Sequence, residues 1–162
     1  MSLQHPMDDA CRTNPGGAAV ASLPALDGAQ ALSVLMYRDW FGGSEGRRRV
    51  EAVLSEALGP DRADSALDDW DQLLEELVRH ARRPLMCHHP SCQCVGADEA
   101  VFAQTLSLAA EGEREEAMLM LSLVIRADRL LVALNAAERA GRAVRCCARS
   151  LSRARAGGTP VH

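Results

Sequence analysis

The chain has 162 residues, of which 48% are apolar and only 3% aromatic, and its formal net charge is −4. This composition suits one domain with a core of Leu, Ala, Val and Met, which favours packed helices over a sheet. The acidic balance excludes a protein that binds polyanions over its whole surface. No apolar run approaches the roughly 20 residues of a membrane span, so we expect no membrane partner.

The first 26 residues are rich in Pro, Gly, Ala and Ser and show no hydrophobic periodicity. We interpret residues 1–26 as a disordered leader. Their start has no basic segment followed by an apolar run, as a secretory signal would have. The expected location is therefore cytoplasmic, where the six cysteines would be reduced and, being clustered, would favour metal or redox chemistry over disulfides.

The middle of the chain, residues 27–141, has the apolar spacing of helices and no alternating strand pattern. Capping side chains, glycines and prolines delimit the helices, and Gly141 either ends the sixth helix or interrupts its continuation to about Arg155. The predicted fold is an all-α bundle of five or six short helices with a Cys/His-rich loop between helices three and four. The predicted helices span residues 28–41, 44–58, 64–82, 98–111, 113–125 and 129 onward, and the fifth, being apolar nearly all round, is expected at the centre.

The Cys/His-rich loop, residues 85–97, has the sequence LMCHHPSCQCVGA. Cys92 and Cys94 are two residues apart, so a turned loop can direct both thiolates to one point, and His89 lies three residues before Cys92. A structural zinc ion takes four tetrahedral Cys or His ligands. His80, in the last turn of helix three, is the fourth candidate, with Cys87 in reserve.

Two other interpretations of the loop stay open: free or redox-active thiols, and a purely structural loop with His80 half-buried in the core. The segment itself shows the pattern His-Ala-Arg-Arg-Pro-Leu, then a histidine, Cys-x-Cys and Gly-x-Asp-Glu. It resembles an uncharacterised family of small helical bacterial proteins, which implies no activity. The resemblance makes His80, His89, Cys92 and Cys94 the metal candidates and Cys87 an addition of this sequence. The matching residues are His80–Arg83, His88 or His89, Cys92, Cys94, Gly96, Asp98 and Glu99.

No catalytic set can be assembled from the sequence, which has no phosphate-binding loop and no Gly-x-Ser-x-Gly motif. Asp98 and Glu99 are better explained as acids that cap a helix N-terminus, or that orient a ligating histidine, than as catalytic carboxylates. We therefore expect a protein that is not an enzyme. The predicted function is a small zinc-binding interaction or regulatory module; the alternative is a thiol-based redox sensor or enzyme using the Cys87–Cys94 cluster.

The end of the chain, residues 142–162, is predicted to be a basic helix or tail. Residues 139–162 contain six Arg and no acid, whereas the preceding residues hold 12 Arg and 22 acids. On a helix, Arg142, Arg145, Arg149 and Arg153 would form one basic stripe. We expect it to dock onto an acidic face within the protein, in a second copy or in an unknown protein partner. We do not expect a nucleic-acid partner, because the acidic body would repel phosphates and few aromatic residues can stack on bases.

Overall fold

The computed structural model of the protein describes residues 14–157, and within them six α-helices pack into one bundle. The prediction of an all-α bundle is thus confirmed, including the loop between the third and fourth helices. The helices are α1 (Gly28–Phe41), α2 (Gly43–Leu58), α3 (Pro60–His80), α4 (Ala97–Glu111), α5 (Arg114–Ser122) and α6 (Leu130–Gly157).

Local signals set where the helices begin and end. The Asp27 carboxylate accepts hydrogen bonds from the backbone N–H groups of Ala29 and Gln30, both at 2.9 Å, which caps α1 as predicted. Between α2 and α3, Gly59 has a φ of +80°, which favours glycine, and Pro60 opens the next helix. The chain therefore reverses there within a single residue.

The core is built around α3, which is the most strongly amphipathic of these helices. Trp70, Leu73, Leu74 and Leu77 are buried along one stripe, and Phe102 of α4 packs edge-on against the Trp70 ring. The opposing face of α6 is lined mainly by alanine, which lets its backbone approach α3 and α4 closely. The small residues of α6 thus leave room for the large side chains of α3, so that the core is filled.

Gly141 lies where α6 crosses α4, and α6 passes through it without a break. A β-carbon at this position would stand 2.5 Å from the carbonyl oxygen of Leu106. Glycine is therefore required by close packing of the two helices. The basic C-terminal residues up to Gly157 are a continuation of a helix that is part of the bundle, with Val144 and Cys147 buried in the core.

The position of α5 differs from the prediction. It was expected at the centre of the bundle, but only Ala117 and Leu121 of α5 are buried. Leu119 is 69% exposed and Leu123, just beyond the helix, is 58% exposed. Some of the apolar side chains of this segment are therefore exposed at the surface, because α5 is a short helix that lies against the outside of α4 and α6.

Residues 14–26 also differ from the disordered leader that was predicted. They contain single-turn 3₁₀ helices at Pro15–Gly17 and Leu23–Ala25 and a strand, β1 (Ala19–Ser22), which pairs antiparallel with β2 (Cys94–Gly96). Their order comes from backbone hydrogen bonds to the loop, which hydrophobic periodicity does not reveal. The rest of the predicted leader, residues 1–13, lies outside the described residues. Among those described, no helix combines the length and apolar character needed to cross a bilayer.

We predict that Gly141→Ala destabilises the protein by about 1–3 kcal/mol, because the new methyl group meets the Leu106 carbonyl and forces α4 and α6 apart. Gly28→Ala is the matched control, since a β-carbon at residue 28 has no heavy atom within 4 Å. Denaturant unfolding of both variants measures the difference. Equal stability of the two variants would contradict the close crossing.

Candidate functional site

A buried ion pair between Arg38 and Glu99 lies beneath the Cys/His-rich loop. Arg38 stands in the last turn of α1 and Glu99 in the first turn of α4. The guanidinium donates through Nε to Oε1 at 2.7 Å and through Nη2 to Oε2 at 3.0 Å, and both side chains are 0% exposed. This two-point geometry is the strongest form of an Arg–carboxylate contact.

The remaining N–H groups of Arg38 bind the backbone of the loop. Nη1 donates to the carbonyl oxygen of Cys92 at 2.7 Å and to that of His89 at 3.3 Å, and Nη2 donates to the Cys94 carbonyl at 2.6 Å. A backbone carbonyl buried without a donor is unfavourable. One guanidinium therefore satisfies three carbonyls of a loop that has few backbone partners of its own.

The Glu99 carboxylate binds the same loop from the other side. It accepts hydrogen bonds from the backbone N–H of Gly96 at 2.8 Å and of His88 at 2.9 Å, and one oxygen lies 3.0 Å from His88 Nδ1. Burial raises the pKa of Glu99, but the hydrogen bonds from Arg38, Gly96 and His88 lower it more, so the pKa lies below its ordinary value. The carboxylate is therefore ionised at neutral pH.

Asp98 forms a second ion pair at the start of the loop. It accepts two hydrogen bonds from Arg83, at 2.7 and 2.8 Å, and one from the backbone N–H of Met86 at 2.9 Å. Asp98 is 2% exposed because Gly16 of the leader lies over it; a β-carbon on that glycine would stand 2.0 Å from the carboxylate. Asp98 thus binds the start of the loop at Met86, and its neighbour Glu99 binds the loop at His88 and at Gly96.

The predicted zinc ligands Cys92 and Cys94 are brought together by the loop. A turn at Pro90 and Ser91, closed by the Cys92 N–H on the His89 carbonyl at 2.9 Å, leads into them. Cys94 is exposed and Cys92 partly exposed, and the Cys94 N–H lies 3.4 Å from Cys92 Sγ. A side-chain hydrogen bond with Cys92 raises the pKa of the Cys94 thiol.

The other predicted ligands lie in different surroundings. His89 is exposed, and its Nδ1 is 2.7 Å from Ser91 Oγ. His80 lies beside Glu76, with Nε2 3.8 Å from Oε1 of that acid. Cys87 packs against the core, and burial raises its pKa to about 11. Within residues 14–157, no three His, Cys, Asp or Glu side chains form a group that could hold a metal ion, and the four-ligand zinc site stays a prediction.

Arg38 was not predicted from the sequence as a functional residue, and Glu99 was predicted only to cap a helix or to orient a histidine. Glu99 does contact the backbone N–H that precedes its helix, as expected of a capping acid, but most of its hydrogen bonds serve the loop and Arg38. One signal was available in the sequence. Arg38 follows Val34 by four residues, so the arginine lies on the same helix face as a buried valine.

Comparisons of this chain with protein-family models, with curated proteins and with solved structures find no match. The function must therefore be argued from the chain's own residues. The resemblance of the His80–Glu99 segment to a bacterial family remains a prediction.

We predict that Arg38→Met destabilises the protein by about 3–5 kcal/mol, because it leaves the Glu99 charge buried without a partner. Arg48→Met is the control: Arg48 pairs with Glu45 at the surface, where both side chains are mostly exposed, and its loss should change stability little. Denaturant unfolding measures both. A small and equal effect of the two substitutions would show that the buried pair is not coupled to folding.

We also predict that the free energy of unfolding depends on pH through the ionisation of Glu99. Because folding lowers its pKa, its stabilising contribution is complete above the unfolded value of about 4.3 and is lost as pH falls through the lower, folded value. The stability difference between wild type and Glu99→Gln should therefore be largest near neutral pH and shrink in acid. Unfolding of both proteins between neutral and acidic pH tests this; a difference independent of pH would contradict it.

Proposed function

We propose that the protein is a small interaction module whose binding surface is the loop between α3 and α4, and that the Cys92 and Cys94 thiols of this loop bind one zinc ion. The observation that carries the proposal is that two accessible thiols lie close together in the loop. The backbone carbonyls of both cysteines accept hydrogen bonds from Arg38. Preorganised ligands reduce the entropy lost on binding.

The chemistry of the two thiols supports a metal more than a reactive cysteine. Reactive cysteines have a pKa lowered by nearby positive charge, whereas the pKa of Cys94 is raised by its hydrogen bond with Cys92. A soft divalent ion removes this barrier, because it displaces both protons and binds the thiolates. Zinc is the most common structural ion with such ligands.

Two thiolates leave a tetrahedral ion with two positions to fill. His89 is the nearest candidate along the chain: with Nδ1 directed to Ser91, its Nε2 is the nitrogen left for a metal. A thiolate or imidazole of a protein partner, or of a second copy, would complete the set. Zinc would then join the loop to its partner, which is why we assign an interaction function rather than a purely structural ion.

The second candidate function is a thiol redox switch, and the proximity of Cys92 to Cys94 is the observation in its favour. Oxidation would join the two sulfurs in a disulfide, with peroxide as the oxidant and water as the product. The bond would form between residues two apart, which strains its geometry. This alternative requires no metal and no partner.

We predict that the reduced, full-length protein binds zinc through these thiols, with one zinc per chain or one per pair of chains. Binding should be abolished in Cys92→Ser/Cys94→Ser and weakened in His89→Ala. Titration with zinc in competition with a chromophoric chelator measures the affinity, and cobalt substitution reports thiolate ligands by their charge-transfer absorption.

Further variants show which residues are zinc ligands. Cys146→Ser removes an exposed thiol on α6 and should leave binding unchanged. Loss of binding in His80→Ala would restore the four-ligand site predicted from the sequence, and loss in Cys87→Ser would restore its reserve ligand. Zinc binding that is undiminished in the double variant would refute the proposal, as would no saturable binding; a Cys92–Cys94 disulfide formed by mild peroxide in zinc-free protein would then favour the redox switch.

A further inference from the structure

A groove on the surface of the bundle lies between α1, α4 and α6. None of residues 85–97 lines it, and its volume is about 410 Å³. This volume lies in the range of specific ligand pockets. The apolar part of its lining, here termed the floor, comes from small and aliphatic residues of α4 and α6, and the same lining also contains polar residues such as Gln30, Ser33 and Ser107. The floor residues are Ala103, Leu106, Ala110, Gly141, Val144 and Ala148.

Arginines of α6 line one side of the groove. Arg145, Arg149 and Arg153 are spaced four residues apart and therefore lie along one helix face. Arg145 is 3.9 Å from Glu111, whereas no carboxylate among residues 14–157 forms an ion pair with Arg149 or Arg153. Arg149 and Arg153 thus stand in the groove without an ion-pair partner among residues 14–157, while the carboxylates of Asp27 and Glu111 lie elsewhere in its lining.

The predicted basic stripe is divided by the structure. Arg142 lines a different groove, with Asp61 and Asp69 of α3. Only the three arginines from 145 to 153 share the groove between α1, α4 and α6. The positive charge is therefore concentrated along this groove and not spread over the whole tail.

We infer that this groove binds an amphipathic helix of a partner protein, with aliphatic side chains on the floor and acidic side chains against Arg149 and Arg153. The lining runs along α6 from Gly141 to Arg153, which is about 18 Å at 1.5 Å per residue. That length matches three to four turns of a helix, and acids four residues apart on the occupant would match the arginine spacing. The inference does not depend on the zinc proposal.

Two other occupants fit the groove less well. A small anion would find the N-terminus of α1 already capped by Asp27, whose carboxylate accepts the available N–H groups and would repel it. A nucleic acid would have to approach a body whose first 138 residues carry a net −10. An amphipathic helix can place its acids along α6 and present neutral side chains to Asp27 and Glu111.

The test uses a fluorescent peptide of about 14 residues, designed with Leu and Ala on one helical face and Glu at every fourth position beside it. Fluorescence anisotropy with the full-length protein should show saturable binding. A scrambled peptide of the same composition, which has the same charge but no apolar face, should bind at least about tenfold more weakly. A single-stranded oligonucleotide of the same net charge should also bind more weakly.

Protein variants locate the binding site. Arg149→Glu/Arg153→Glu should weaken peptide binding by about tenfold or more, and Ala148→Phe should block the floor without changing charge. Arg142→Glu/Arg48→Glu is the control with the same change in charge outside the groove, and circular dichroism verifies folding. No saturable binding, equal binding of the scrambled peptide, tighter binding of the oligonucleotide, or an equal effect of the control pair would each overturn the inference.

Discussion

The ion pair between Arg38 and Glu99 is the interaction on which the arrangement of the rest of the site depends. It connects α1 to α4 across 61 residues of sequence, and between them its two side chains bind the backbone of five residues of the loop. Val95 is a buried apolar side chain of the loop, but most of the loop is polar, so its carbonyl and N–H groups must find partners in the protein. A buried pair is not in itself evidence of high stability, but here its two side chains supply hydrogen-bond partners to the backbone of the loop.

This arrangement explains how a polar loop can present two thiols in a fixed position. Arg38 binds the carbonyls of Cys92 and Cys94, so the backbone of both residues is fixed while their side chains remain accessible. The leader adds a second layer, since β1 pairs with β2 and the Leu23 N–H donates to the Gln93 carbonyl. The backbone of the loop is therefore held by hydrogen bonds to Arg38, to Glu99 and to the leader.

The sequence predicted the parts of the fold that depend on local signals. The Asp27 cap and the stop at Gly59-Pro60 are encoded within a few residues, and both lie where they were expected. The periodicity of α3 also predicted a helix, which runs over Pro60–His80 instead of residues 64–82. The contacts of the loop are not local in sequence. Arg38 and Glu99 come into contact only when the bundle has formed. The residues of β1 are all exposed, so this strand is identified by its hydrogen bonds to β2 and not by a hydrophobic pattern. A single charge on the buried face of α1 was the only sequence signal for the pair, and it does not identify the partner.

The central claim, that Arg38 and Glu99 fix the loop without help from a metal, is tested most directly by amide hydrogen exchange in protein freed of metal by a chelator. The informative amides are those of His88 and Gly96, which donate to Glu99. The account predicts that both exchange as slowly as amides in the buried part of α3. Exchange of both at the rate of an unprotected chain, while α3 remains protected, would contradict it.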